Sequence, residues 1–183
     1  MSDTLEFKSI ESNVNLVSET VLELYNSLNL SEDLKPKVAE INPEFTGSKE
    51  FCGNYGVVES DGANTIIVEV VKGEQKSFAC CLIPIGTRAD LNHIVRKHFN
   101  ARRVSFAPLP EVEAITKMEY GSITAFGLPS DWKILVDSRI MEKENIILGG
   151  GRKISKLLFP TKLFKKMSNV EIIDSLGKPT EQN

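Results

Sequence analysis

The chain has 183 residues, 41% of them hydrophobic and 26% charged, which suits one folded domain over residues 1–183 and excludes disordered and collagen-like chains. No apolar run approaches the roughly 20 residues that cross a bilayer, and the acidic start, Met1 to Glu6, lacks the apolar stretch of a signal peptide. Three cysteines, Cys52, Cys80 and Cys81, are an odd number with no CxxC, and with two histidines they argue against a structural zinc site and for a reduced cytoplasmic protein.

In chain order, the first element is an amphipathic helix over residues 13–29, with Val17, Val21, Leu24 and Leu28 at three- and four-residue spacing. Lys37 to Ile41 reads as a short strand, and Cys52 lies in a short helix beside Phe51 and Tyr55. Thr65–Val71 and Ser77–Ile83 are apolar and β-branched around a polar link with Gly73, which predicts a hairpin of strands buried on both faces. Asp90 reads as the N-cap of a helix through Phe99. Arg103–Ala107 follows as a strand, then a short helix from Pro110. Trp132–Asp137, Asn145–Leu148 and Val170–Ile173 read as strands, Pro160 opens a helix through Met167, and the tail from Gly177 reads as polar and frayed.

The net charge of −3 hides an asymmetry. Residues 1–74 carry 14 acidic and 5 basic side chains, whereas residues 133–166 carry 9 basic and 3 acidic. Local potential steers a polyanion, so this chain is open to a nucleic-acid partner; an unevenly solvated surface is the plainer alternative.

Two glycine-containing loops stand out. Tyr120 to Pro129 holds Gly121, Ser122, Thr124, Ala125 and Gly127. Gly149, Gly150 and Gly151 run into Arg152, Lys153, Ser155 and Lys156 after a strand, which suits backbone NH groups and cations around an anion, or a simple turn or bulge. Neither loop is a Walker A or GxGxxG motif. His93 and His98 sit five apart on a helix, on different faces, and make no triad. Asp137 closes an apolar strand, as a turn or N-cap residue or as a functional carboxylate. No metal cluster and no acid/base pair is visible.

The stretch from about Asn64 to Met167 resembles the YbaK/EbsC family, the prolyl-tRNA-synthetase-associated editing domain. The likeness lies in four pieces in order: Ala101–Ala107, Glu119–Pro129, Ile134–Asp137 and Gly149–Ser155. It implies a mixed α/β fold with a curved, barrel-like sheet surrounded by helices. It also implies a trans-acting aminoacyl-tRNA deacylase that hydrolyses the ester of a mischarged tRNA. Small-residue errors need such a second site, because a methylene is worth only about 1–3 kcal/mol in binding.

By the same resemblance, the chemistry uses the substrate's ribose hydroxyl and a water, with no cofactor or metal. Asn64, Gly121 and Asp137 fall at catalytic positions. Ser122, Thr124, Ala125, Gly127, Gly150, Gly151 and Ser155 line the aminoacyl site, and Arg152, Lys153 and Lys156 hold the tRNA acceptor end. The implied partners are that acceptor end and an aminoacyl-tRNA synthetase, with no membrane. Two positions depart from the pattern. Ala125 replaces the proline of a Gly-x-x-x-Pro loop, and Asn64 replaces a lysine that many members carry; a subgroup resembles this chain in having asparagine there. That loss makes a non-catalytic tRNA-binding or regulatory protein of the same fold the rival reading.

Overall fold

The computed structural model describes residues 4–180. Its strands are β1 (Lys8–Ser9), β2 (Lys37–Glu40), β3 (Ala63–Lys72), β4 (Gln75–Pro84), β5 (Thr87–Ala89), β6 (Arg103–Phe106), β7 (Lys133–Asp137), β8 (Asn145–Gly149), β9 (Ser155–Pro160), β10 (Val170–Ile173) and β11 (Gly177–Pro179). The helices are α1 (Glu19–Ser27), α2 (Ser48–Tyr55), α3 (Arg96–His98) and α4 (Leu109–Thr116). The strands form a sheet of order β1-β2-β9-β8, a second of order β10-β7-β4-β3-β6, and a small pair, β11-β5. β7 runs parallel to β4 and β10, while β3 runs antiparallel to β4 and β6, so the fold is mixed α/β.

The expected hairpin is β3–β4, paired from Ala63↔Pro84 to Lys72↔Gln75, with Gly73 at φ +59° in its turn. β3 is buried on both faces. Ile67 joins the larger core, with Val21 and Phe126, whereas Val68 and Val70 pack with Val95 in a second cluster on the other side. Each fully buried aliphatic side chain contributes about 1.5–3 kcal/mol, which makes this hairpin the seam between the two cores.

Four expectations change. The helix of residues 13–29 is interrupted: Val14–Leu16 is a 3-10 turn and Val17 is extended before α1. The break has a cause, because Ser18 donates its NH to Gly150 O at 3.2 Å and accepts the Val21 NH on its side chain at 3.4 Å. Ser155–Pro160 is a strand, and the segment after Pro160 is a 3-10 turn, Thr161–Lys166. The tail from Gly177 is not frayed over its described part, because β11 pairs with β5 and Gly177 is buried; residues 181–183 lie outside the described residues. Finally, the strands make separate sheets joined by one bridge, Gly62 to Ile147, and no closed barrel forms among the described residues.

Candidate functional site

β6 covers β3 only from Val68 to Val71, and the last main-chain bond on that side is Ala107 NH to Ile67 O at 3.0 Å. Main-chain groups alternate along a strand. Those of Thr65 therefore face the same edge, beyond the end of β6 and short of the Gly62–Ile147 bridge to β8. A cavity of about 350 Å³ opens at this gap. Its lining is mixed, with polar Thr46, Ser48, Asn64, Thr65 and Lys156 and apolar Ile67, Ala107, Leu109, Val112 and Ile123. The Thr65 hydroxyl is buried and has no hydrogen-bond partner, which marks it as a group awaiting one. Ser48 Oγ donates to Asn64 Oδ1 at 2.6 Å.

Lys156 is the cation of this cavity, and no Asp or Glu lines it. The residue is only 8% exposed, yet it pairs with no carboxylate among the described residues. Its ammonium donates to Thr46 O at 2.9 Å and lies 4.9 Å from the centre of the Phe51 ring. Burial pulls its pKa down to about 8. It reaches the cavity because side chains alternate along β9. Ser155, Leu157 and Phe159 turn into the larger core or toward Leu16, and Lys156 turns the other way, under α2.

The two glycine loops are tied to each other. Glu119 NH donates to Gly151 O and Gly151 NH to Ser122 O, both at 2.9 Å. Ser122 Oγ donates to Arg152 O, and Lys153 NH to Glu119 Oε2, both at 2.6 Å. Of this assembly, Tyr120, Gly121, Ile123 and Gly149 line the cavity. Gly121 has φ +82°, and a Cβ there would meet Thr46 Cγ2 at 3.2 Å.

The remaining expected residues lie elsewhere. Ser122, Thr124, Ala125 and Gly127 are buried behind the cavity wall, with Gly127 packed on the backbone of Thr20 and Val21. Gly150 and Gly151 are packed against Ser155 and Ser18, and Ser155 Oγ donates to Leu16 O at 2.5 Å. The Arg152 guanidinium bonds to Asn15 O, away from the cavity. Asp137 is fully buried and does not line the cavity; it accepts two bonds from the Arg139 guanidinium, at 2.8 and 2.7 Å, and one from Gly177 NH at 2.8 Å. It also caps the following turn through Arg139 NH at 3.0 Å. Burial pushes its pKa up, but these bonds outweigh burial and hold the carboxyl below its usual range.

The family model for the aminoacyl-tRNA editing domain matches residues 42–166. The chain belongs to this family. The editing domain so defined begins just before Thr46 and ends after Lys156, so it spans the whole cavity. Among solved structures, the editing domain's fold is similar to that of a hypothetical protein, APE2540, at TM-score 0.73 and 20% identity, over 87% of this chain and all of that one. It is similar also to a candidate trans-editing enzyme for prolyl-tRNA synthetase, at TM-score 0.70 and 15% identity, over 90% of this chain and 99% of that one. No curated protein sequence matches significantly. No helix is long and apolar enough to cross a membrane among the described residues.

Sequence reading reached Asn64, Gly121 and Lys156 of this cavity as site residues, held Phe106 and Tyr120 only as members of the Ala101–Ala107 and Glu119–Pro129 pieces, and missed Thr46, Ser48 and Thr65, which no motif marks. Thr65 had a signal, a hydroxyl in a strand otherwise apolar through Val68, but that signal tells nothing of which edge is open.

Proposed function

We propose that this chain is a free-standing, cytoplasmic aminoacyl-tRNA deacylase whose active site is the cavity beside β3, with residues 1–183 acting as one unit. The observation that carries this reading is Lys156, a buried cation without an acid, in a cavity that also holds Asn64. It supplies, from β9, the charge that Asn64 does not. Such an ammonium suits the phosphate or the developing oxyanion at the end of an aminoacylated strand.

In this reading the amino-acid side chain rests on Ile67, Val112 and Ile123, which favours a small apolar group. The Asn64 amide donates to the ester carbonyl or the ribose. The open main chain of Thr65 accepts from the amino group. No His, Cys, Asp or Glu lines the cavity, so the hydroxyls of Thr46, Ser48 and Thr65 have no His or carboxylate beside them to act as their base, and water is the attacking group in this reading. Water attacks the carbonyl carbon, the bond to the ribose oxygen breaks, and that oxygen takes the water's proton through the neighbouring ribose hydroxyl. The protein contributes position and electrostatics.

The test is a deacylation screen over mischarged tRNAs, with Lys156→Met as the control. Ester hydrolysis that depends on Lys156 is the expected result. Binding of tRNA without turnover of any ester would overturn the enzyme and leave the binding-module reading.

A further inference from the structure

Phe106 is 71% exposed and Tyr120 62%, and these two exposed aromatic side chains both line the cavity described above. Phe106 also does something Tyr120 does not. With Ile66 it forms a ridge shared with a second cavity of about 680 Å³, on the other side of β3. That second cavity is lined by Arg88 of β5 and Lys178 of β11, with Ser105, Asn92 and His93.

Arg88 and Lys178 stand directly opposite each other in the β11–β5 pair. Both are exposed, and neither has an ion pair among the described residues. Like charges in that position repel across a strand pair, and the attraction on this side is the longer-range one between Lys178 and Asp90. The cavity's carboxylate, Asp90, is engaged on one oxygen by His93, through its NH at 3.1 Å and its ring Nδ1 at 3.0 Å. Two opposed cations beside an exposed ring are what a single nucleic-acid strand meets: phosphate on the cations, base on the ring.

We infer that this second cavity is a nucleotide subsite, holding the phosphate and base that precede the terminal adenosine of the acceptor strand, with Phe106 as the stacking platform between the two cavities. The inference rests on the deacylase reading for the order of the strand, terminal ester beside Lys156 and upstream nucleotide beside Arg88. It adds a site on the opposite face of β3 and a direction for the strand to cross that sheet.

The experiment measures binding of a fluorescent single-stranded oligonucleotide with the acceptor-end sequence and no ester, by anisotropy over a salt series. Wild type is compared with Phe106→Ala and with Arg88→Ser combined with Lys178→Ser. Loss of a stacked base should weaken binding by about five- to a hundredfold. Loss of one phosphate contact should flatten the log-log salt slope by about 0.7. The double variant should melt no lower than wild type, since a repulsive pair is gone, and it should hydrolyse a 3′-aminoacyl-adenosine as wild type does; Arg88→Ser alone serves if the pair does not fold. Unchanged affinity and slope in both variants, or no oligonucleotide binding by wild type, would overturn the subsite. Binding that falls as expected, in a protein that hydrolyses no ester, would overturn the deacylase reading and leave the subsite standing.

Discussion

Ser48 and Asn64 fix each other. The Ser48 hydroxyl donates to Asn64 Oδ1 at 2.6 Å, so the amide carbonyl is occupied and the NH2 remains as the free donor of this cavity-lining residue. Asn64 is thus oriented as a donor by Ser48, the first residue of α2, 16 residues earlier in the chain.

Asn64→Ala should remove one neutral hydrogen bond, worth about 0.5–1.5 kcal/mol, and lower kcat/KM roughly three- to tenfold with little change in melting temperature. Ser48→Ala should act in the same direction and more weakly. Asn64→Lys puts a second ammonium into an acid-free cavity beside Lys156, and should lower both stability and activity. A gain of hydrolysis in Asn64→Lys would show that Lys156 does not fill the cationic role.

Lys156 predicts opposite pH trends for stability and activity. Its folded pKa is depressed from 10.5 to about 8 by burial. Below pH 8 both folded and unfolded chains hold the proton, and the burial cost is fully present. Between about 8 and 10.5 the unfolded chain binds more protons, so this group's contribution to stability rises with pH. The ammonium needed at the site is lost over that same rise. Activity should therefore fall above about pH 8 while the melting temperature gains. Lys156→Met should abolish both trends, lose activity at neutral pH, and fold at least as stably as wild type. Rate profiles and melts across pH 6–10 would check it.

The glycines separate into two classes. Gly121→Ala forces a Cβ onto φ +82° and against Thr46 Cγ2 at 3.2 Å. It should cost about 1–2 kcal/mol of stability and disturb the wall that carries Thr46 and Lys156, so turnover should fall further than stability. In Gly150→Ala the Cβ would overlap Ser155 Oγ and leave Leu16 O without its donor. That variant should lose folding first, and paired melting and turnover measurements would distinguish the two.

Asp137→Asn should lower stability by about 2–3 kcal/mol, as expected for losing charge-assisted bonds to Arg139, and leave kcat/KM unchanged well below the melting point. The carboxyl's depressed pKa means that its contribution is present at neutral pH and lost as pH falls through the folded value. A selective loss of turnover with unchanged melting would return Asp137 to the catalytic site.

Much of the sheet was legible and much of the site was not. β3 and β4 announce themselves because continuous β-branched apolarity around Gly73 has one economical solution. β9 does not, because its one cation, Lys156, and its terminal proline obscure a pattern whose alternate residues serve two different surroundings. The cavity draws on α2, β3, β6, α4, β8 and β9, and no local pattern reports which strand edge stays open. Arg152 and Lys153 show the converse. Their residue types and place beside a glycine run suggest an anion site, yet the Arg152 guanidinium, the Arg152 carbonyl and the Lys153 NH are spent holding that loop to its neighbours.

The hydrogen bonds that join the 119–122 loop to the 151–153 segment carry a dynamic consequence. Glu119, Gly151 and Lys153 lend their amides to one shared ladder. Those three amides should exchange with solvent at one common rate, as a single cooperative opening unit. This side of the cavity is then a fixed anvil. Any breathing that admits a bulky strand end falls to the segment across from it, Thr46 to Ser48, which is joined to the anvil by one 3.2 Å bond from the Thr46 hydroxyl to Gly121 O.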